Sequence, residues 1–158
     1  MSNGSSILAL IGWITLCFAA AAFGARYTTS SWFEQLRKPR WNPPNQVFGP
    51  VWTILYLLMA VAAWRVWQQG GWSVQHFTLT LFLAQLLFNA LWSWLFFGLK
   101  NPGLAFADIA LLWVTLLVTL IAFWGVQPVA GLLLIPYLAW VTFASALNLS
   151  IWQLNRAY

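Results

Sequence analysis

Charge is what this sequence has least of. Only 6% of its 158 residues are charged, and just two of them, Glu34 and Asp108, are acids. A soluble domain carries about a quarter charged residues, so a water-facing surface cannot be built from this chain. Lipid, which accepts apolar side chains on the outside of a bundle, is the solvent that fits. Cysteine is nearly absent as well: Cys17 stands alone in an apolar run, which excludes an intramolecular disulfide and any cysteine-based metal cluster. It reads as a small hydrophobe within a helix. The single histidine, His76, falls in what reads as a short outer loop and is expected to be solvated rather than to ligate a metal or heme. No HExxH, CxxC, P-loop or serine-nucleophile motif occurs, so ordinary hydrolytic or metal-dependent catalysis has no support and no metal is expected. The net charge of +5 comes from only seven basic residues. Four of these crowd between Arg26 and Arg40, which reads as a topology determinant beside anionic lipid heads rather than a nucleic-acid surface.

What the sequence has in excess is apolar and aromatic mass: 62% hydrophobic residues and thirteen tryptophans. A membrane span needs about 20 apolar residues, at about 1.5 Å of rise each, to cross about 30 Å of hydrocarbon. Five stretches qualify, approximately 7–25, 47–67, 77–99, 103–125 and 129–154. The expected fold is therefore an all-α membrane protein, a single five-helix transmembrane bundle over 1–158, with neighbours in sequence packed antiparallel through short connections. Gln68-Gln69-Gly70-Gly71, Lys100-Asn101-Pro102-Gly103 and Gln127-Pro128 punctuate the later spans. Only the loop 26–46 is long enough for structure of its own. Within it, Ser30-Ser31-Trp32-Phe33-Glu34 reads as a helix start, Pro39 as its end, and Pro43-Pro44 as a stiff approach to the second span.

The first span is expected to be retained rather than cleaved as a signal peptide, because residues 1–6 carry no basic residue and the apolar run exceeds the usual length. Six basic residues (Arg26, Arg37, Lys38, Arg40, Lys100 and Arg156) fall on one side of the bundle, and Arg65 alone falls on the other. Positive charge stays inside. The loop 26–46 and the C-terminus are thus expected to be cytoplasmic, with the N-terminus outside.

Polar groups at membrane depth are costly, so each is a candidate site. In the third span Gln85, Asn89, Trp92 and Phe96 share one helical face. Tyr137, Trp140, Ala144 and Asn148 form a similar stripe in the fifth, and Trp52, Tyr56 and Met59 in the second. If these faces converge they form an aromatic-walled pocket with an amide near its middle and a small residue leaving room, suited to a flat hydrophobic ligand. The plainer alternative is that Gln85 and Asn89 only hydrogen-bond across helices. Asp108, early in the fourth span, reads as a structural anchor favoured by a helix N-terminus, since a proton relay would require further ionisable partners at depth.

Four runs carry a family resemblance: Trp32-Phe33 with Leu36 and Lys38-Pro39; Trp41-Asn42-Pro43-Pro44; Gly49-Pro50-Val51-Trp52 with Leu55-Tyr56; and Pro136-Tyr137-Leu138-Ala139-Trp140 followed by Phe143-Ala144 and Leu147-Asn148. Asn89, Trp92, Phe96-Phe97-Gly98 and Asp108 fit the same pattern. The chain resembles, over nearly its whole length, the tryptophan-rich sensory protein and translocator protein (TspO) family, formerly called the peripheral benzodiazepine receptor. The resemblance implies a five-helix bundle whose long cytoplasmic loop between the first two spans lids a pocket. It implies binding of tetrapyrroles such as protoporphyrin IX or heme, and of synthetic isoquinoline carboxamides, with no covalently held cofactor. Carried onto this chain, the ligand-binding residues are Trp52, Asn89, Trp140 and Ala144, with Trp32 and Trp41 in the lid. The fifth-helix cholesterol motif departs at Leu149 and Gln153, so high-affinity cholesterol binding is not expected. A member of bacterial type in a bacterial cell membrane is, and the absence of a targeting extension agrees.

The resemblance leaves two functions of different classes. One is a porphyrin-binding protein for sensing, sequestration or transport in a stress or light response, with Arg37, Lys38 and Arg40 available to propionates. The other is light- and oxygen-dependent degradation of protoporphyrin, with Trp52 and Trp140 as the catalytic candidates. Binding is the favoured reading, because little beyond two tryptophans speaks for chemistry. A homodimer is also implied, and Ala20, Gly24 and Ala105 are small enough to permit close helix approach.

Overall fold

The computed structural model describes residues 3–28 and 31–156. Five long helices carry the architecture: α1 (Asn3–Ala25), α3 (Asn45–Trp67), α4 (Gly71–Ser93), α5 (Pro102–Val126) and α6 (Pro128–Leu154). A one-turn helix, α2 (Trp32–Gln35), lies in the loop between α1 and α3. All five long helices are long and apolar enough to cross a membrane, and their outward faces are lined by exposed Leu, Ile, Val, Phe and Trp.

Local chemistry sets the helix ends. Asn101 caps α5, its side chain accepting from the Leu104 N–H at 3.1 Å, and Pro102 and Pro128 occupy first helical positions where no N–H is needed. Ser31 precedes α2 without a side-chain cap bond, and Ser30 of the same expected helix start lies outside the described residues. α4 begins at Gly71, six residues before the expected Phe77. Gly70 and Gly71 turn the chain at φ 111 and 68, conformations open to glycine, and the helix starts at once. His76 is therefore a residue of α4 and not of a loop; only Gln75, at φ −105 and ψ 20, departs from helical geometry nearby. At its other end α4 runs into a π-helical turn, Trp94–Gly98, closed by the Leu99 N–H donating to the Trp94 carbonyl at 2.8 Å. Lys100, at φ 54, then reverses the chain.

The helices pack in a closed ring in the order α1, α3, α6, α5, α4. α1 and α3, α4 and α5, and α5 and α6 are neighbours in both chain and space, whereas α3 and α4 face each other more loosely across the ring. At the end of the ring remote from the loop, polar bonds tie the helices. Trp64 Nε1 donates to the Ser6 carbonyl at 2.8 Å, Gln68 Nε2 to Ser6 Oγ at 2.7 Å, and Arg65 Nε to Gln127 Oε1 at 2.7 Å. Below them, Trp13 meets Trp67 and Phe82, and Phe82 stacks on Phe123 at 5.8 Å. Backbones approach closely where α5 meets α6: a Cβ on Gly131 would lie 2.9 Å from Trp124 Cα. Gly24 packs against Ser93, and Ala105 is fully buried. Both are thus used inside the chain, and neither is left on an outer face for a second copy.

Candidate functional site

The loop end of the ring is hollow. A cavity of about 480 Å³ lies among α1, α2, α3, α4 and α6, and α5 contributes none of its lining. Its walls are mainly aromatic. Trp52 from α3 and Trp140 from α6 meet edge to face at 6.3 Å, Trp140 also contacts Phe48 at 5.9 Å, and Trp92 stacks on Phe96 at 5.2 Å. Ala144 leaves room between Trp140 and Asn148 on the α6 wall.

The π-helical turn shapes the α4 wall. Successive residues of an α-helix point about 100° apart, and a π-turn locally widens the helix. Phe96 and Phe97, adjacent in sequence, both line the cavity. They hold α2 in place as well: Trp32 packs on Phe96 at 5.6 Å, and Phe33 on Phe97 at 5.6 Å.

The floor is polar and bonded. Tyr56 Oη donates to Asn89 Oδ1 at 2.6 Å, Asn89 Nδ2 donates to Tyr137 Oη at 2.6 Å, and Tyr137 Oη donates to Gln85 Oε1 at 2.8 Å. This chain joins α3, α4 and α6 at membrane depth, where an unpaired polar group is expensive. Nearer the mouth, Trp92 Nε1 donates to Asn148 Oδ1 at 2.9 Å, and Asn148 Nδ2 donates to the Pro102 carbonyl at 2.9 Å. Two buried polar atoms near these networks have no partner among the described residues: Gln85 Nε2 below the floor and Trp140 Nε1 in the wall.

Trp52, Asn89, Trp140 and Ala144, expected from helical spacing and from the resemblance, all line this one cavity. Tyr56, Trp92, Phe96 and Asn148 of the same stripes join them, while Gln85, Met59 and Tyr137 are buried beneath it. The two lid tryptophans stand outside it: Trp32 covers Phe96, and Trp41, 46% exposed, packs on Phe143 at 5.5 Å. Sequence spacing missed the α1 wall of Phe18, Ala21 and Gly24, and also Phe33, Phe48 and Phe97. An apolar face on an all-apolar helix gives no signal, and Phe97 needs the π-turn.

Charge is sparse here too. Glu34 is the one charged residue in the lining. Arg37, Lys38 and Arg40 lie outside the lining, with the Lys38 ammonium 4.6 Å from the Phe33 ring centroid. Asp108 is the seventh residue of α5 and buried, with Oδ2 unpartnered among the described residues. The helix dipole acts on the first turn, so it does not account for this carboxyl. Cys17 is buried and free, and no group of three metal-ligating side chains occurs among the described residues.

Known proteins share this pattern along most of their length. The chain is 44% identical to the tryptophan-rich protein TspO of Chlorobaculum tepidum over 94% of its own length and 97% of that protein's. It is 39% identical to protein CrtK of Rhodobacter capsulatus, over 88% of each chain, and 36% identical to the translocator protein of Bos taurus, over 92% of this chain and 89% of the other. The model of the TspO/MBR family matches residues 13–153, which span every cavity-lining residue from Phe18 to Ile151. With its five apolar helices, the chain is thus an integral, multi-pass membrane protein that belongs to the TspO/MBR family.

Proposed function

We propose that this protein binds a tetrapyrrole of the protoporphyrin IX or heme type in the loop-end cavity, and serves to sense, sequester or move it. The observation that carries the reading is the cavity itself: about 480 Å³, walled by Trp52, Trp92, Phe96 and Trp140. That volume is typical of small-molecule sites. Aromatic walls suit the faces of a planar macrocycle. The apolar walls disfavour a carboxylate deep in the cavity, so propionates would point outward past the loop, beyond Glu34 and toward Arg37, Lys38 and Arg40. The asymmetry of basic residues supports a cytoplasmic position for this end.

Quenching of tryptophan fluorescence by protoporphyrin IX in lipid nanodiscs tests the reading. Saturable quenching that weakens in Trp140→Ala and in Asn89→Ala is expected. Quenching that neither substitution alters would move the ligand to the lipid-facing surface.

One observation favours a second reading, light- and oxygen-dependent degradation of the bound pigment: Trp52 and Trp140 touch each other and both face the cavity. Under illumination in air, protoporphyrin loss that yields a defined product and stops in Trp52→Phe and Trp140→Phe would support it. Bleaching that is indifferent to both tryptophans would rule it out.

A further inference from the structure

Asn155 stands just past the last turn of α6, and its side-chain amide makes three hydrogen bonds. Nδ2 donates to the Ile151 carbonyl of its own helix at 2.7 Å and to the Arg37 carbonyl at 2.9 Å, while Oδ1 accepts from the Arg37 N–H at 3.1 Å. An amide nitrogen has two hydrogens, so the bond to Ile151 orients the group and leaves one donor and one acceptor facing the loop. These take both backbone groups of a residue 118 positions away in the chain, in the manner of a residue paired with a neighbouring strand.

We propose that Asn155 is a positioning residue that fastens the loop over the mouth of the cavity and thereby sets how fast a ligand exchanges. Arg37 follows directly on the segment that closes this end. Phe33 and Glu34 line the cavity, and Leu36 packs with Phe96, Leu147 and Ile151. Ile151, also in the lining, lies one helical turn before Asn155, so the hook sits at the cavity's rim. The ring contacts of Trp32 and Phe33 on Phe96 and Phe97 are apolar and tolerate sliding. The paired amide bonds are directional, so they fix the register of the loop on the rim. Opening the mouth requires breaking both.

The fastening stands on geometry alone, while its effect on exchange rests on the binding reading above; two measurements keep them apart. In ligand-free protein in nanodiscs, trypsin cleavage after Arg37 and Arg40 reports the loop directly. Asn155→Ala is expected to accelerate it about tenfold, the equivalent of two ordinary net hydrogen bonds, while Gln153→Ala, exposed on the same last turn, leaves it unchanged. Unaltered cleavage in Asn155→Ala would overturn the proposal. With protoporphyrin IX bound, displacement kinetics in Asn155→Ala are expected to show a similar acceleration of dissociation at an unchanged melting temperature. Faster cleavage with unchanged dissociation would overturn the gating role. Faster cleavage in a protein that binds no protoporphyrin would uphold the hook and defeat the binding reading instead. A melting temperature lowered in parallel with both rates would reduce Asn155 to a general stabiliser and refute the proposal.

Discussion

Replacing Tyr137 with Phe removes one oxygen atom and leaves an acceptor and a donor without their partner. Tyr137 is fully buried, and its hydroxyl both donates to Gln85 Oε1 at 2.8 Å and accepts from Asn89 Nδ2 at 2.6 Å. No cavity opens, since the ring remains, so the cost is nearly all hydrogen bonding. Inter-helix bonds in membranes average about 0.6 kcal/mol each and reach about 1.7. Two lost bonds therefore give a destabilisation of about 1–3 kcal/mol, toward the upper end because Gln85 Nε2 is already unpartnered and the whole Gln85 amide is then left buried and unpaired. That last point makes the argument falsifiable. Adding Gln85→Leu to Tyr137→Phe removes the isolated amide, so the double substitution should cost less than the sum of the two singles by at least about 0.6 kcal/mol. Reversible unfolding by SDS in mixed micelles, followed by tryptophan fluorescence, measures all four corners of the cycle. A Tyr137→Phe protein within about 0.3 kcal/mol of the parent, or singles that simply add, would refute the account of the floor as a coupled network.

Four further outcomes follow from the packing. Ala144→Leu fills space in the cavity wall and should weaken protoporphyrin binding by about tenfold, or about 1.4 kcal/mol, without lowering the melting temperature; titration and thermal unfolding of one sample check both. Gly131→Ala should destabilise by about 1–3 kcal/mol, because its Cβ would lie 2.9 Å from Trp124 Cα, which is backbone. Gly24→Ala meets the Ser93 hydroxyl at 2.8 Å, which can rotate, so it should cost less than Gly131→Ala in the same unfolding assay. Asn148→Ala removes the acceptor of Trp92 Nε1 and the donor to Pro102; it should red-shift the emission of a variant retaining only Trp92 among the cavity indoles, as water from the cavity takes the place of the lost amide.

How far the sequence could be read depended on whether a residue contrasts with its neighbours. The five spans were legible because length and hydropathy alone define them, and the ring of five long apolar helices agrees. Asn89, Trp52, Trp140 and Ala144 stood out because each is polar, bulky or small on a helical stripe of a different kind. Phe18 and Ala21 had no such contrast: one apolar face of α1 looks like another. The start of α4 was misread because Gln75 and His76 look like loop residues, yet a helix whose first turns lie at the membrane surface tolerates them. Asp108 was placed by a rule that holds only for a helix's first turn, one turn short of where it sits. The ring order was hidden for another reason: short connections join α3 to α4, yet these two oppose each other across the ring, because α1 and α6 fill the places beside α3.

The π-turn at Trp94–Gly98 also has a meaning for how such a chain can change by insertion and deletion. A π-turn is one residue more than an α-helix of the same rise would use, so α4 holds a spare residue at the cavity rim. Deleting one residue there returns the segment to α-geometry while leaving the Asn89 and Trp92 register untouched. It rotates either Phe96 or Phe97 out of the wall and shortens the link to Lys100. Elsewhere in these helices a one-residue deletion would swing every following side chain by about 100° and scramble the core. At Trp94–Gly98 it would redraw only the outline of the pocket, making this turn a place where ligand preference can drift between relatives without the fold being rebuilt.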